Sequence, residues 1–298
     1  MIELPRTILA ATDFSEAAER AADFARDLSR RFRAQLHLLH VVVILEDPHI
    51  EEEHRHRLEQ LVATGDEARR RDLESGSDHQ AGLEVTPHMV RGLAPAEVIV
   101  ETASSTGCEL IVVGTHGRRG LSHLFLGSVA ERVVRTSKLP VLTVRGNADI
   151  ELPEVPQILV PHDFSEASAN ALQSAKAWAE GLGAEITLLH VVEPVVYPEF
   201  YSVDVLSDDL MERLVERSES ALERAADELL GGIKARVKVE VGRAANTIVD
   251  FADPEHCDLV VMATRGLSGL EHVLLGSVAE SVLRRCRVPL LAVPASQS

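Results

Sequence analysis

The chain repeats itself once, and the repeat is as long as a whole domain. Ile8-Leu9-Ala10-Ala11-Thr12-Asp13-Phe14-Ser15-Glu16-Ala17 returns as Ile158-Leu159-Val160-Pro161-His162-Asp163-Phe164-Ser165-Glu166-Ala167, 150 residues later. Leu38-Leu39-His40-Val41-Val42 returns as Leu188-Leu189-His190-Val191-Val192 at the same offset. Leu126-Gly127-Ser128-Val129-Ala130-Glu131 returns as Leu275-Gly276-Ser277-Val278-Ala279-Glu280 at an offset of 149. Solenoid repeats have periods of roughly 20–50 residues, so one period this long means duplication of a globular unit. The expected organisation is a first domain over 1–146, a linker over 147–156 with prolines and acidic residues, and a second domain over 157–298.

Aromatic residues are only 3% of the chain, so each core must be built from Val, Leu, Ile and Ala. That palette suits parallel strands covered by helices. The formal net charge of −17 repels a phosphodiester backbone and argues against a nucleic-acid partner. Three cysteines are too few and too odd in number for a disulfide framework, which points to a reducing, cytoplasmic setting. No leader pattern is read at Met1–Arg6, and no apolar run nears the ~18 residues of a membrane span.

Within the first half, strand and helix patterns alternate. Thr7–Thr12 reads as a short apolar strand, and Ser15 as the N-cap of a helix with Ala17, Ala18, Ala21, Ala22, Ala25 and Leu28 at helical spacing. Gln35–Ile44 follows as a strand and His49–Ser75 as a long charged helix with Leu58, Leu61 and Ala68 on a thin apolar face. Leu83–Val90, Pro95–Ser105, Leu110–Gly114, Ser128–Thr136 and Val141–Val144 continue the alternation to a fifth strand. This is the order of an α/β fold with two tandem doubly wound, open, parallel five-stranded sheets and helices on both faces. Ligands of such sheets bind beyond the carboxyl ends of the strands.

Three clusters stand at those ends. Ala11-Thr12-Asp13 closes strand one, Val41 lies near the end of strand two, and Gly114-Thr115-His116-Gly117 follows strand four. A loop then leads to Gly127-Ser128-Val129 at the start of the next helix. Glycines let backbone approach a ligand closely. The first N–H groups of a helix lack intrahelical partners and favour phosphate. Asp13 is placed to accept from ribose hydroxyls or, through water, to meet a metal. Val41 is placed to read an adenine edge with its backbone and pack on the ring.

On these residues the chain resembles the universal stress protein family in its tandem form, from Ile8 to Val144 and again from Ile158 to Val293. ATP-binding members of that family carry the glycine pattern matched by Gly114, Gly117, Gly127 and Ser128, the aspartate matched by Asp13 and the hydrophobic residue matched by Val41. The resemblance implies strand order 3-2-1-4-5, ATP with Mg2+ as cofactor, and pairing of domains through their last strands, with a homodimer as a further option. It also implies a stress-response role through protein partners that the sequence does not name.

The second half departs from the pattern. Ala263-Thr264-Arg265-Gly266 replaces the first glycine, and Leu267 and Ser268 stand where Arg118 and Arg119 are in the first half. Asp163, Val191, Gly266, Gly276 and Ser277 form the corresponding second site, expected to bind more weakly or to hold something else. Weaker binding follows if position 263 needs positive φ, which Ala resists. Plainer roles stand beside these. Asp13 and Asp163 also fit helix capping, and His40 and His190 fit hydrogen-bonded strand histidines. Glu51-Glu52-Glu53-His54-Arg55-His56 reads as a solvated charged helix face, since residues two apart do not share a face. Cys108 and Cys257 read as small buried residues, and Tyr197, Phe200 and Tyr201 as loop packing or a lid.

No phosphate-loop lysine follows Gly127-Ser128 or Gly276-Ser277. The sequence therefore favours a nucleotide-binding regulatory or protective protein. Slow ATP hydrolysis or phosphoryl or nucleotidyl transfer is the second class, and a metal or small-ligand carrier through the second domain the third. Gly117→Val is expected to block ligand approach while leaving most of the fold. An ATP titration with unaltered affinity would place the site elsewhere.

Overall fold

The computed structural model describes residues 4–44, 51–63, 85–115, 126–146, 152–194, 208–253, 257–266 and 275–295. The chain divides into two compact units, the first of Glu3–Leu152 with Pro289–Pro294, the second built on Pro153–Val288. The first holds β1 (Thr7–Thr12), α1 (Glu16–Phe32), β2 (Gln35–Val43), helix α2 over 51–63, β3 (Val85–Gly92), α3 (Pro95–Ser105), β4 (Leu110–Gly114), α4 (Ser128–Thr136) and β5 (Val141–Val144). The second holds β6 (Gln157–Pro161), α5 (Glu166–Leu182), β7 (Glu185–Val192), α6 (Asp208–Leu230), β8 (Ala235–Val241), α7 (Ala244–Phe251), β9 (Leu259–Ala263) and α8 (Ser277–Arg285). The last strand, β10 (Leu290–Val293), belongs to the first unit.

Strands of the first unit run β3-β2-β1-β4-β5, parallel throughout. Antiparallel to β5 lies β10, with Leu291 opposite Leu142, and the Thr143 hydroxyl donates to the Leu290 carbonyl at 3.3 Å. The second unit repeats the parallel order as β8-β7-β6-β9. Both units are thus α/β folds on mostly parallel sheets. Central strands are apolar nearly from end to end, as double-sided burial requires: Ile8, Leu9, Ala10, Ile111 and Val112 are each fully buried.

Helix α1 owes its position to small residues. Ala17, Ala18, Ala21, Ala22 and Ala25 are buried on one face, with Phe24 and Leu28 filling the deeper space. This brings helix backbone onto the end of β4. A Cβ on Gly114 would lie 2.6 Å from the Ala17 carbonyl group and 2.7 Å from the Ala18 nitrogen. Gly114 therefore serves helix–strand packing, and it is not among the residues of positive φ. Its counterpart Ala263 also lacks positive φ and is buried at the end of β9, so the alanine strains nothing.

All three cysteines are buried, Cys108 and Cys257 as expected of them. Burial pushes the Cys257 thiol up to about 12, with Cys286 adding to the shift, so it stays protonated and inert at neutral pH. Described helix α2 covers only part of the expected His49–Ser75; residues 64–84 lie outside the described residues.

Gly114→Ala is expected to lower stability by about 1–3 kcal/mol, the usual range for overpacking against backbone. Ala263→Gly should cost only about 0.5–1 kcal/mol. Urea unfolding of the two variants measures both.

Candidate functional site: the crevices beyond the strand ends

Each unit passes from its first strand to its first helix through the same four-residue turn. In the first unit Phe14 N–H donates to the Thr12 hydroxyl at 3.0 Å, Ser15 N–H to Asp13 Oδ1 at 3.0 Å, and Ala18 N–H to the Ser15 hydroxyl at 3.4 Å. In the second, Phe164 N–H donates to His162 Nδ1 at 3.1 Å, Ser165 N–H to Asp163 Oδ1 at 3.1 Å, and Ser168 N–H to the Ser165 hydroxyl at 3.1 Å. The turn needs Phe14 at φ 62° and Phe164 at φ 64°, conformations that cost a bulky residue about 1–2 kcal/mol. Ser15 and Ser165 are the N-caps. The aspartates stand two residues earlier and fix the cap residues' own N–H groups.

The starts of α4 and α8 face the same ends. Their N-cap residues, Gly127 and Gly276, supply no side-chain cap. Each glycine N–H is taken by the carbonyl of the residue that follows the fourth strand: Gly127 by Thr115, and Gly276 by Thr264 at 2.8 Å. The first helical bonds run from Glu131 to the Gly127 carbonyl and from Glu280 to the Gly276 carbonyl. The N–H groups of Ser128–Ala130 and Ser277–Ala279 thus precede the intrahelical ladder, at the positive end of the helix dipole.

In the second unit these elements enclose a cleft of about 340 Å3. Its walls include Asp163, Val191, Gly266, Gly276 and Ser277, the five residues expected there, together with Ala263 and Arg265. A Cβ on Gly266 would press on Asp163 Oδ2, the end of a side chain that can turn aside. β6 pairs with β7 only as far as Pro161 opposite Leu189, so Val191 stands beyond the paired segment. The same holds for Val41, one residue past Thr12 opposite His40.

His162 is the group to which the sequence pattern assigned no role. It replaces Thr12 in the turn, lines the cleft and is 6% exposed. Its Nδ1 accepts from Phe164, so the neutral ring carries its proton on Nε2, which has no hydrogen-bond partner among the described residues. Burial holds its pKa below the usual 6.5; Asp163 opposes the shift and His190 adds to it. The signal was present in the repeat, as the one titratable residue substituted into the strand-one turn.

The solvated reading of the Glu51–His56 stretch is overturned for His54. It is 3% exposed, and its Nδ1 lies 2.9 Å from Nε2 of His40, which is equally buried. His54 stands four residues before the buried Leu58 and shares its face, while His56 points outward to Gln60. His40 and His190 behave as expected, each bonding through Nδ1 to the carbonyl of Thr12 or His162 at 2.8 Å. Gly117, Arg118, Arg119, Tyr197, Phe200, Tyr201, Leu267 and Ser268 lie outside the described residues. Among the described residues no three His, Cys, Asp or Glu side chains form a metal-binding group, and no helix is long and apolar enough to cross a membrane.

Fold and crevice together define a duplicated α/β protein with anion-favouring helix starts at the mouth of each sheet. The Universal stress protein family model matches residues 5–145 and again 155–294. Universal stress protein MJ0531 of Methanocaldococcus jannaschii is 37% identical over 140 residues, 46% of this chain and 81% of that protein. Universal stress protein Rv2005c of Mycobacterium tuberculosis is 30% identical over 200 residues, 66% of this chain and 65% of that protein. A universal stress protein from Archaeoglobus fulgidus shares the fold with TM-score 0.62 at 22% identity, covering 97% of this chain and 98% of that one. The chain belongs to the universal stress protein family, in tandem two-domain form.

A histidine whose folded pKa is depressed resists a proton that the unfolded chain accepts near 6.5. The second unit should therefore be most stable above that pH and lose stability as pH falls below it. His162→Thr, which keeps a turn acceptor as Thr12 does, should flatten that loss. Urea midpoints followed from pH 7.5 to 5 test this.

Proposed function

We propose that the chain binds adenine nucleotide, ATP with Mg2+, at the strand ends of both units and acts as a regulatory or protective stress-response factor rather than primarily as a catalyst. The observation that carries this reading is the start of α8. It bears no side-chain cap, and its first-turn residues Ser277, Val278 and Ala279 line a cleft of about 340 Å3. That volume falls in the ~300–1,000 Å3 range of small-molecule sites. Successive N–H groups at a helix start are suited to phosphate oxygens. Arg265 adds a cation to the wall, and Val191 with Met262 adds apolar surface for a ring. Asp163 and Asp13 each keep one oxygen on the turn and are assigned the ribose.

In the first unit the same roles fall to Ala11, Thr12, Asp13, Val41, Gly114, Thr115, Gly127, Ser128 and Val129, and by the sequence pattern to Gly117. Mg2+ would arrive on the phosphates, since the described residues offer no group of three ligands of their own. The missing phosphate-loop lysine supports holding the nucleotide over transferring its phosphate.

Protein purified without added nucleotide, then denatured and chromatographed, should release intact ATP at about one to two per chain. Calorimetric titration of the stripped protein should recover the same sites. Ser128→Glu and Ser277→Glu place a negative charge at each helix start, and each should weaken one site at least about tenfold. Failure of ATP to bind, or unchanged binding in both variants, ends this reading.

A further inference from the structure

We propose that His54 and Arg57 of α2 are positioning residues for the first crevice: they hold the Asp13–Phe14 turn in its left-handed shape and so set the affinity of that crevice for nucleotide. The affinity part rests on the reading above; the turn part does not.

The turn is tied to α2 on both sides of Asp13. On one side, His40 donates from Nδ1 to the Thr12 carbonyl at 2.8 Å, which leaves its Nε2 as an acceptor. His54 Nδ1 then donates to that Nε2 at 2.9 Å, and both rings are buried. On the other side, the Arg57 guanidinium lies over the Phe14 ring, 4.6 Å from its centre, and donates to the Phe14 carbonyl at 3.1 Å. Phe14 also packs on His40 and His54, with ring centres 4.4 and 5.4 Å away. Helix α2 is itself anchored to α1, where the buried Arg26 donates to the Leu61 carbonyl at 2.7 Å. These contacts add to the local hydrogen bonds that hold Phe14 at φ 62°.

The second turn shows the contrast. His190 still bonds to the His162 carbonyl, yet among the described residues the ring contacts of Phe164 are to His162 and His190 alone. Phe164 is 40% exposed, against 6% for Phe14. Asp204 occupies the sequence position equivalent to His54 and lies outside the described residues.

The test uses the full chain in three variants. His54→Leu keeps apolar volume without a donor, His54→Gln restores a donor, and Arg57→Lys changes a half-exposed residue with little risk to folding. Ligand-free hydrogen exchange of segment 12–18, read by mass spectrometry, should quicken about tenfold in His54→Leu and Arg57→Lys. It should stay near wild type in His54→Gln, with segment 162–168 unchanged in all three. ATP titrations in a Ser277→Glu background read the first crevice, and should show about tenfold weaker binding for the same two variants and recovery in His54→Gln. Unchanged exchange in Arg57→Lys and His54→Leu overturns the pinned turn. Quickened exchange with unchanged affinity overturns the positioning role. If the Ser277→Glu parent binds no ATP, the nucleotide reading of the first crevice fails and the affinity claim falls with it, while the exchange result still decides the turn.

Discussion

The strand-end mouth of each unit hangs on one short passage of chain, from the first strand into the first helix. Three backbone N–H groups there are satisfied by three nearby side chains. In the first unit these are the Thr12 hydroxyl, the Asp13 carboxylate and the Ser15 hydroxyl. Local side-chain acceptors of this kind compete with regular structure and so fix turns. In the first unit the helix that follows is laid against the end of β4 with a glycine's clearance.

The two copies satisfy that requirement with different chemistry. Thr12 gives way to His162, and a small uncharged acceptor becomes a buried imidazole whose Nε2 proton has no partner among the described residues. Gly114 gives way to Ala263, which lines the cleft without strain. Duplication has kept the scaffold and the aspartate while changing the group beside it. Asp163, Gly266 and Gly276 all line the cleft of the second unit.

Much of the fold was legible because it is written in periodicity and in glycine placement. The spans Thr7–Thr12, Pro95–Ser105, Leu110–Gly114, Ser128–Thr136 and Val141–Val144 are observed at their expected bounds. Strand order was not in the pattern and came through family resemblance. Other features escaped because they depend on contacts distant in sequence. His54 sits in a run of charge that looks solvated, and only the arrival of His40 from β2 buries it. Gly114 looked like a turn residue, and its reason lies in the backbone of α1. Phe14 and Phe164 gave no hint of positive φ, since aromatic side chains are not expected there.

Strand β10 carries a further consequence. It is encoded after the whole second copy, yet it is counted with the first unit, along the flank of β5. During synthesis the first sheet must wait with its β5 edge uncovered until residues 289–294 leave the ribosome. An exposed strand edge is a template for pairing with the wrong chain. The short span of β5, four residues, limits that hazard during the delay.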